Sequence, residues 1–135
     1  MEQNGTNVLM EPEQSLQHQI RECLKGMGIS SPVDWDVLVF VYRHQSSLAN
    51  AEQIAHMVGY PPTVVNDALE NLESLKLLRR SRASSGVSLY RCVPSVTASP
   101  SYGYFRQLIA SADHRTGRLG ITKELRKART ENHNV

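Results

Sequence analysis

The 135-residue chain has only two cysteines and no long apolar run. Cys23 and Cys92 lie far apart and lack the spacing of a zinc-ligand or redox pair, which argues against a disulfide scaffold. No segment approaches the ~20 apolar residues that a membrane span requires. The N-terminus, rich in Glu, Gln and Asn, lacks the basic and apolar regions of a signal peptide. We therefore expect a cytoplasmic protein with no membrane partner.

The residue groupings of enzymes and metalloproteins are also missing. The five histidines have no metal-ligand spacing with one another, with the cysteines or with a carboxylate pair. Residues 117–120 contain two glycines but lack the preceding strand of a phosphate-binding loop. We predict that the protein is not an enzyme, and that it has no catalytic residues, no metal and no cofactor. Whether a small-molecule effector binds is left open.

Charges of opposite sign are divided between the two parts of the chain. Residues 1–75 carry three basic and ten acidic side chains, a net charge of −7. Residues 76–135 carry twelve basic and three acidic side chains, a net charge of +9. The basic residues cluster at 76–91 and 106–129. Such clusters often meet a polyanion, and the alternative is a solvated basic surface.

At 40% hydrophobic residues, the chain has enough apolar material for one globular domain with extensions. Turn residues and apolar periodicity predict a mainly α fold with a small β-hairpin. Gly117 and Gly120 are expected to interrupt the chain near its end. The predicted segments are a disordered 1–10, a helix at 11–29, a central domain at 30–93, a linker at 94–102, a helix at 103–113 and a basic tail or short helix at 114–135.

The two flanking helices each have an apolar stripe at helical spacing. Either the body of the domain or a second copy of the chain must cover these stripes. We expect a homodimer in which they form the contact. The dimerisation residues predicted on this basis are Leu16, Ile20, Leu24, Phe105, Leu108 and Ile109.

The central domain shows clear helix starts. Ser31 followed by Pro32 predicts a helix to about residue 44, although the β-branched residues at 37–42 would also suit a strand. Asn50 and Gln53 have capping-box spacing and begin a second helix, which ends at Gly59. A third follows at about 62–76, with its apolar stripe turned inward. The small-residue loop 83–86 then joins two extended segments into a hairpin, the wing, at 77–93.

This order of helix, helix, turn, helix and hairpin resembles the winged helix-turn-helix regulators of the MarR and PadR families. The resemblance covers residues 51–58, the turn 59–62, the run 63–73 and Leu77-Leu78-Arg79-Arg80, less than half of the chain. It implies a DNA-binding transcription regulator. Lys76 stands where these families usually have glycine, so it must use another cap or adopt a left-handed conformation. Pro61 replaces the usual Ser or Thr cap of the helix at 62–76.

Geometry supports binding to double-stranded DNA. The helix at 62–76 can lie in the major groove while the wing reaches the backbone. Thr63 and Asn66 are predicted to meet base edges, and the wing arginines to meet phosphates. Successive strand residues face opposite sides, so Arg79 and Arg80 cannot point at the same surface. The predicted DNA-binding residues are Thr63, Asn66, Asn71, Arg79, Arg80, Arg82 and Arg91.

One feature of the same helix favours a different function. It carries Asp67, Glu70 and Glu73 and no basic residue before Lys76, so much of its outer face would repel phosphates. The alternative is therefore a winged-helix module that binds a basic protein partner and not DNA.

Overall fold

The computed structural model of the protein describes residues 12–44, 49–93 and 101–133. Within these ranges the fold is mainly helical with one antiparallel hairpin, as predicted. None of the described helices is both long and apolar enough to cross a membrane. The elements are α1 (Pro12–Met27), α2 (Pro32–Arg43), α3 (Ala51–Val58), α4 (Pro62–Ser74), β1 (Leu78–Arg82), β2 (Ser88–Cys92), α5 (Ser101–Ala112) and α6 (Arg115–His133).

The central helices begin where their caps predict. The Ser31 side chain accepts a hydrogen bond of 3.2 Å from the Val33 amide at the start of α2. Asn50 and Gln53 form a complete capping box at the start of α3, with bonds of 2.8 and 2.9 Å. The strand-like run at 37–42 lies inside α2 because it is bounded by these helix signals and packs in the core.

A tight turn joins α3 to α4. Gly59 ends α3 with a φ of 81°, which glycine adopts without steric penalty. Tyr60 donates its hydroxyl to Asp36 of α2 at 2.7 Å, so the turn is tied to the preceding helix. Helix α4 starts at Pro62, and Pro61 supplies no side-chain cap, as its sequence predicts. Together α3, the turn and α4 form the helix-turn-helix.

Helix α4 ends in a Schellman motif that places a lysine where glycine is usual. The Leu77 amide bonds the Leu72 carbonyl, and the Lys76 amide bonds the Glu73 carbonyl, each at 3.0 Å. Lys76 has a φ of 65°. The left-handed conformation was one of the two outcomes expected for this position, and it leads the chain directly into the wing.

The wing is held at its base by the core and on one side by the segment before α3. Strands β1 and β2 pair antiparallel, with Leu78 opposite Cys92 and Arg82 opposite Ser88. Leu78 and Cys92 are buried. The Tyr90 amide bonds the Ala49 carbonyl at 3.1 Å, which adds a one-residue bridge to β2. The position of the hairpin relative to α3 and α4 is therefore fixed by several contacts.

Helix α5 packs on α2 through aromatic side chains. Phe105 is fully buried and makes edge contacts with Trp35 and Tyr42, with ring centroids 5.8 and 5.2 Å apart. Tyr102 lies against the same ring at 5.8 Å. Because α5 begins at Ser101, Tyr102 belongs to the helix and not to the linker predicted at 94–102. Residues 94–100 and 1–10 lie outside the described residues.

The last helix is longer than the sequence indicates. We expected Gly117 and Gly120 to interrupt the chain, and this is wrong, since α6 runs through both. A Cβ at Gly117 would lie 1.9 Å from the Ser111 carbonyl oxygen, and one at Gly120 would lie 2.7 Å from Ile20. Both glycines permit close approach between helices, and neither breaks one.

The burial of the flanking helices corrects the predicted dimer contact. Of its six residues, Ile20, Leu24, Phe105 and Leu108 are at most 5% exposed within a single chain. They pack where α1, α5 and α6 meet one another and α2, so they belong to the core of the protomer. Leu16 and Ile109 are half-buried at its edge. The apolar stripes are covered by the body of the domain, which was the other possibility.

Candidate nucleic-acid interface

The outer face of α4 presents short polar side chains. Val65, Ala68, Leu69 and Leu72 are buried against α2 and α3, so the helix can turn only its other side to solvent. Thr63 and Asn66 lie on that side and are exposed. They occupy the N-terminal half of the helix, the part that approaches base edges when such a helix lies in the major groove. Their exposure leaves both side chains accessible, and their contact with base edges stays a prediction.

Asn71 is exposed, but its side chain is engaged in a hydrogen bond to the neighbouring helix. Its side-chain amide donates a hydrogen bond of 2.6 Å to Asp34, which is 8% exposed at the start of α2. Burial raises the pKa of Asp34, and the hydrogen bond from Asn71 opposes that rise. Asn71 therefore joins α4 to α2, and its role as a base-contacting residue is not supported by this contact.

The four wing arginines are divided between the two faces of the hairpin. Arg79 lies directly opposite Arg91, and Arg80 lies opposite Tyr90. Because side chains alternate along a strand, Arg80 and Arg82 share one face, and Arg79 and Arg91 share the other. All four are exposed. The four arginines therefore form two pairs that point in opposite directions, and Arg79 and Arg80 face different surfaces, as the alternation of a strand predicts.

Among the described residues, Arg80 is the one wing arginine with a carboxylate partner. Arg80 Nε lies 3.5 Å from Glu73 Oε2 in the last turn of α4. Within the described parts of the chain, Arg79, Arg82 and Arg91 form no ion pair. The contact joins the wing to α4 across the turn at Leu75–Leu77, so the two elements lie at one edge of the protein.

Acidic residues surround this edge. Asp67 and Glu70 are exposed on the same helix as Thr63 and Asn66. Their charges oppose phosphate binding by α4, so at this edge the attraction to a polyanion must come from the wing. In this geometry the polar helix α4 can offer contacts to base edges, and the basic hairpin can offer contacts to phosphates.

Comparison with known proteins identifies this arrangement at the level of the fold. No protein-family model matches the chain, and no curated protein matches it. Solved structures do match. The complex of S. aureus MepR with DNA is similar with a TM-score of 0.57 and 17% identity, over 84% of this chain and 91% of that one. The chain shares the winged-helix fold of that structure.

Two further structures share this winged-helix fold. A MepR point mutant bound to an oligodeoxyribonucleotide has a TM-score of 0.52 and 17% identity, over 87% of this chain and 89% of that one. The YusO protein from Bacillus subtilis has a TM-score of 0.51 and 18% identity, over 72% and 70%. The predicted winged helix-turn-helix is confirmed.

The cysteines of this winged helix lie away from α4 and the wing tip. Cys92 is buried at the base of the hairpin, and burial raises the pKa of its thiol to about 12. The Cys23 thiol contacts Gln107 at 3.3 Å, and burial, followed by the Glu22 charge, raises its pKa. In the described residues no group of three His, Cys, Asp or Glu side chains could hold a metal. The thiols pack against their neighbours in their neutral form.

The contacts of Asp34 and Glu73 were not predicted. Both residues were visible as acids in helical segments, but their partners lie 37 and seven residues further along the chain. The alternation of β1 could have placed Arg80 on one face, yet only the angle between α4 and the wing brings it to Glu73. Local sequence patterns contain no signal for that angle.

Proposed function

We propose that the protein is a sequence-specific DNA-binding transcription regulator, with α4 in the major groove and the wing on the backbone. The observation that carries this proposal is the distance of 3.5 Å between Glu73 and Arg80, at which a groove-sized polar helix and an arginine-bearing hairpin lie side by side at one edge. An α-helix fits the major groove of B-DNA, and an adjacent hairpin can reach the phosphates. The similar fold of MepR, which has been solved with DNA, supports this assignment.

The contacts follow from residue chemistry. Asn66 can pair with an adenine edge through two hydrogen bonds, and Thr63 can offer a hydroxyl or a methyl group. Arg82 lies near the tip of the wing on the same face as Arg80 and is the first candidate for a phosphate contact. Arg79 and Arg91 face the other way and would meet a different stretch of backbone.

We also propose that the protein acts as a homodimer, although not through the stripes first expected. Leu119 is 59% exposed on α6 and, with the half-buried Leu16, lies in an open groove of about 650 Å³ between α1 and α6 whose other lining residues are mostly polar or charged. A second copy that covers this groove would remove the exposed Leu119 side chain from water. Two-fold symmetry would then place two α4 helices on one pseudo-palindromic site.

The proposed setting follows from the proposed activity. The similar structures come from bacteria, in which DNA lies in the cytoplasm, so the proposed compartment is the cytoplasm. It would be a binding protein and not an enzyme, since α4 and the wing supply polar and cationic contacts without an acid, base and nucleophile in mutual reach.

The test is binding to a random-sequence duplex, titrated from ~50 to ~200 mM salt. Two or three phosphate contacts per chain in a dimer predict about 4 to 6 neutralised phosphates and a log-log slope of about −4 to −5. The variant with alanine at Arg79, Arg80, Arg82 and Arg91 should bind far more weakly and with a shallower slope. If the wild-type chain does not bind at ~50 mM salt, the DNA proposal is wrong, and the acidic face of α4 becomes the surface to test with basic proteins.

Sedimentation at micromolar concentration tests the dimer. Leu119→Asp places a charge in the groove without removing a core side chain, so we expect a folded monomer. Val87→Asp, at an exposed apolar residue next to the wing loop, is the control and should remain dimeric. A monomeric wild-type chain would contradict the proposal.

A further inference from the structure

The ion pair between Glu73 and Arg80 has an unusual location. Glu73 lies in the last turn of α4, where the negative end of the helix dipole disfavours a carboxylate. Its partner is the only wing arginine that forms an ion pair among the described residues. The protein therefore keeps an acidic side chain at the junction between helix and wing, where a bound phosphate backbone would pass.

The ion pair is too weak to act as a structural brace between α4 and the wing. The two side chains are 35% and 46% exposed and their charged atoms are 3.5 Å apart. A surface pair of this kind changes an equilibrium by a factor of about 5 at most. The wing is already held by buried Leu77, Leu78 and Cys92 and by the bridge from Ala49 to Tyr90. Loss of the pair would leave the hairpin in place.

The ion pair matters more for the charge of the wing than for the stability of the fold. Neutralising one of four arginines removes one of the cations that could release a counterion from DNA. The carboxylate also lies beside the guanidinium and would repel any phosphate that approached Arg80. The exposed pair can still exchange, since both side chains reach solvent.

We propose that Glu73 withholds Arg80 from the phosphate backbone and so limits the sequence-independent affinity of the protein for DNA. This inference rests on the proposed function. Arg79, Arg82 and Arg91 then supply the backbone contacts, and Glu73 is a residue that acts on DNA binding through Arg80.

The experiment is a double-mutant cycle on a random-sequence duplex, with salt slopes measured for the wild type, Glu73→Gln, Arg80→Gln and the double variant. In the wild-type background, Arg80→Gln should change the slope by less than about 0.3 per chain. In the Glu73→Gln background, the same change should make the slope shallower by about 0.9 per chain, the value for one lost phosphate contact. Glu73→Gln alone should bind about 3- to 10-fold more tightly at low salt.

Glu70→Gln is the matched control. It removes a carboxylate from the exposed side of the same helix, one turn away, without an ion pair to Arg80. It should raise affinity through net charge alone, and Arg80→Gln should still have little effect in its background. The circular dichroism melt of each variant checks that the fold is intact.

The outcomes are distinguishable. If Arg80→Gln already lowers the slope by about 0.9 in the wild-type background, Arg80 contacts phosphate and the inference is overturned. If Arg80→Gln changes the salt slope equally in the Glu73→Gln and Glu70→Gln backgrounds, the inference is overturned as well. If no variant binds DNA at ~50 mM salt, the proposed function fails and this inference fails with it.

Discussion

Asn71 of α4 donates a hydrogen bond of 2.6 Å to the buried carboxylate of Asp34 in α2. Asp34 and Trp35 are neighbours, and Trp35 packs against Phe105 of α5. Helix α2 therefore contacts both α4, through Asp34, and the flanking helix α5, through Trp35. The contact is a structural one, although Asn71 lies on the helix proposed to read DNA.

The Asp34 contact predicts the effect of Asn71→Ala. The change leaves a buried carboxylate without its donor, so the free energy of unfolding should fall by about 1 to 3 kcal/mol. Preference among DNA sequences at a temperature where the variant is folded should stay unchanged. Denaturant melts and competition binding measure the two effects. A change in sequence preference with unchanged stability would show that Asn71 contacts bases after all.

Asp34 also predicts a pH dependence. Burial raises its pKa above the unfolded value of 3.8, although the Asn71 hydrogen bond works in the opposite direction. Its contribution to stability is present below the unfolded pKa and is lost as pH rises through the folded pKa. Asp34→Asn should therefore gain stability relative to the wild type as the pH rises from below the unfolded pKa of 3.8. Asp67→Asn, at an exposed position, is the control. A pH-independent difference between Asp34→Asn and the wild type would contradict the assignment.

Glu124 should behave in the opposite sense. It is 6% exposed on α6 and accepts hydrogen bonds from Gln17 at 2.7 Å and Arg21 at 3.2 Å. Burial raises its pKa, but these bonds and the charges of Arg21 and Lys127 outweigh burial, so the pKa lies below 4.5. Its stabilisation is present above the unfolded pKa and is lost as pH falls through the folded pKa.

Glu124→Gln should therefore destabilise the protein by about 1 to 2 kcal/mol at pH 7, since Arg21 is partly exposed and solvent screens the pair. The difference from the wild type should shrink as the pH falls below about 4.5. Glu22→Gln on the exposed side of α1 is the control. Thermal melts across this pH range measure the difference in stability between Glu124→Gln and the wild type. An equal loss of stability at acidic and neutral pH would mean that packing, and not charge, is responsible.

Lys76 is the residue in a left-handed conformation at the end of α4. A side chain with a Cβ costs about 1 kcal/mol there, whereas glycine does not. Lys76→Gly should raise the free energy of unfolding by about 0.5 to 1 kcal/mol after the entropy of the unfolded chain is included. Lys76→Ala removes the same charge but keeps the Cβ, so it should change stability by less than about 0.5 kcal/mol. Equal effects of the two substitutions would indicate a charge effect.

The thiols should be unreactive in the folded state. Burial raises the pKa of Cys92 to about 12 and also raises that of Cys23, so little thiolate is present near pH 8. An aromatic disulfide reagent should label neither thiol within minutes, and should label both in denaturant. Rapid labelling of the native protein, with a change in DNA binding, would instead indicate a thiol sensor.

The local parts of the fold are predictable because their causes are local. Ser31, the Asn50 and Gln53 pair and Gly59 mark helix ends through their own hydrogen bonds or backbone angle. The left-handed conformation of Lys76 was also one of the two outcomes expected for a residue directly after α4. These signals were sufficient for the winged helix-turn-helix.

The rest depends on contacts between distant segments. Gly117 and Gly120 resemble breaks until the neighbouring Ser111 and Ile20 are in place. An apolar stripe such as that around Ile20 has the same pattern whether its own chain or a second copy covers it. Arg80 and Arg79 look alike in sequence, and only the packing of the wing on α4 gives one of them a carboxylate partner. Tertiary geometry, which no local pattern contains, decides each of these cases.

The measurement that tests the central proposal most directly compares Asn66→Ala with Arg82→Ala on two duplexes, one selected by the wild-type protein from a random library and one of random sequence. If α4 reads bases while the wing holds the backbone, Asn66→Ala should reduce the ratio of the two affinities by about 5- to 100-fold. Arg82→Ala should weaken both affinities about equally and leave the ratio unchanged. A ratio that is insensitive to Asn66 and instead falls with Arg82 would contradict the placement of α4 in the major groove.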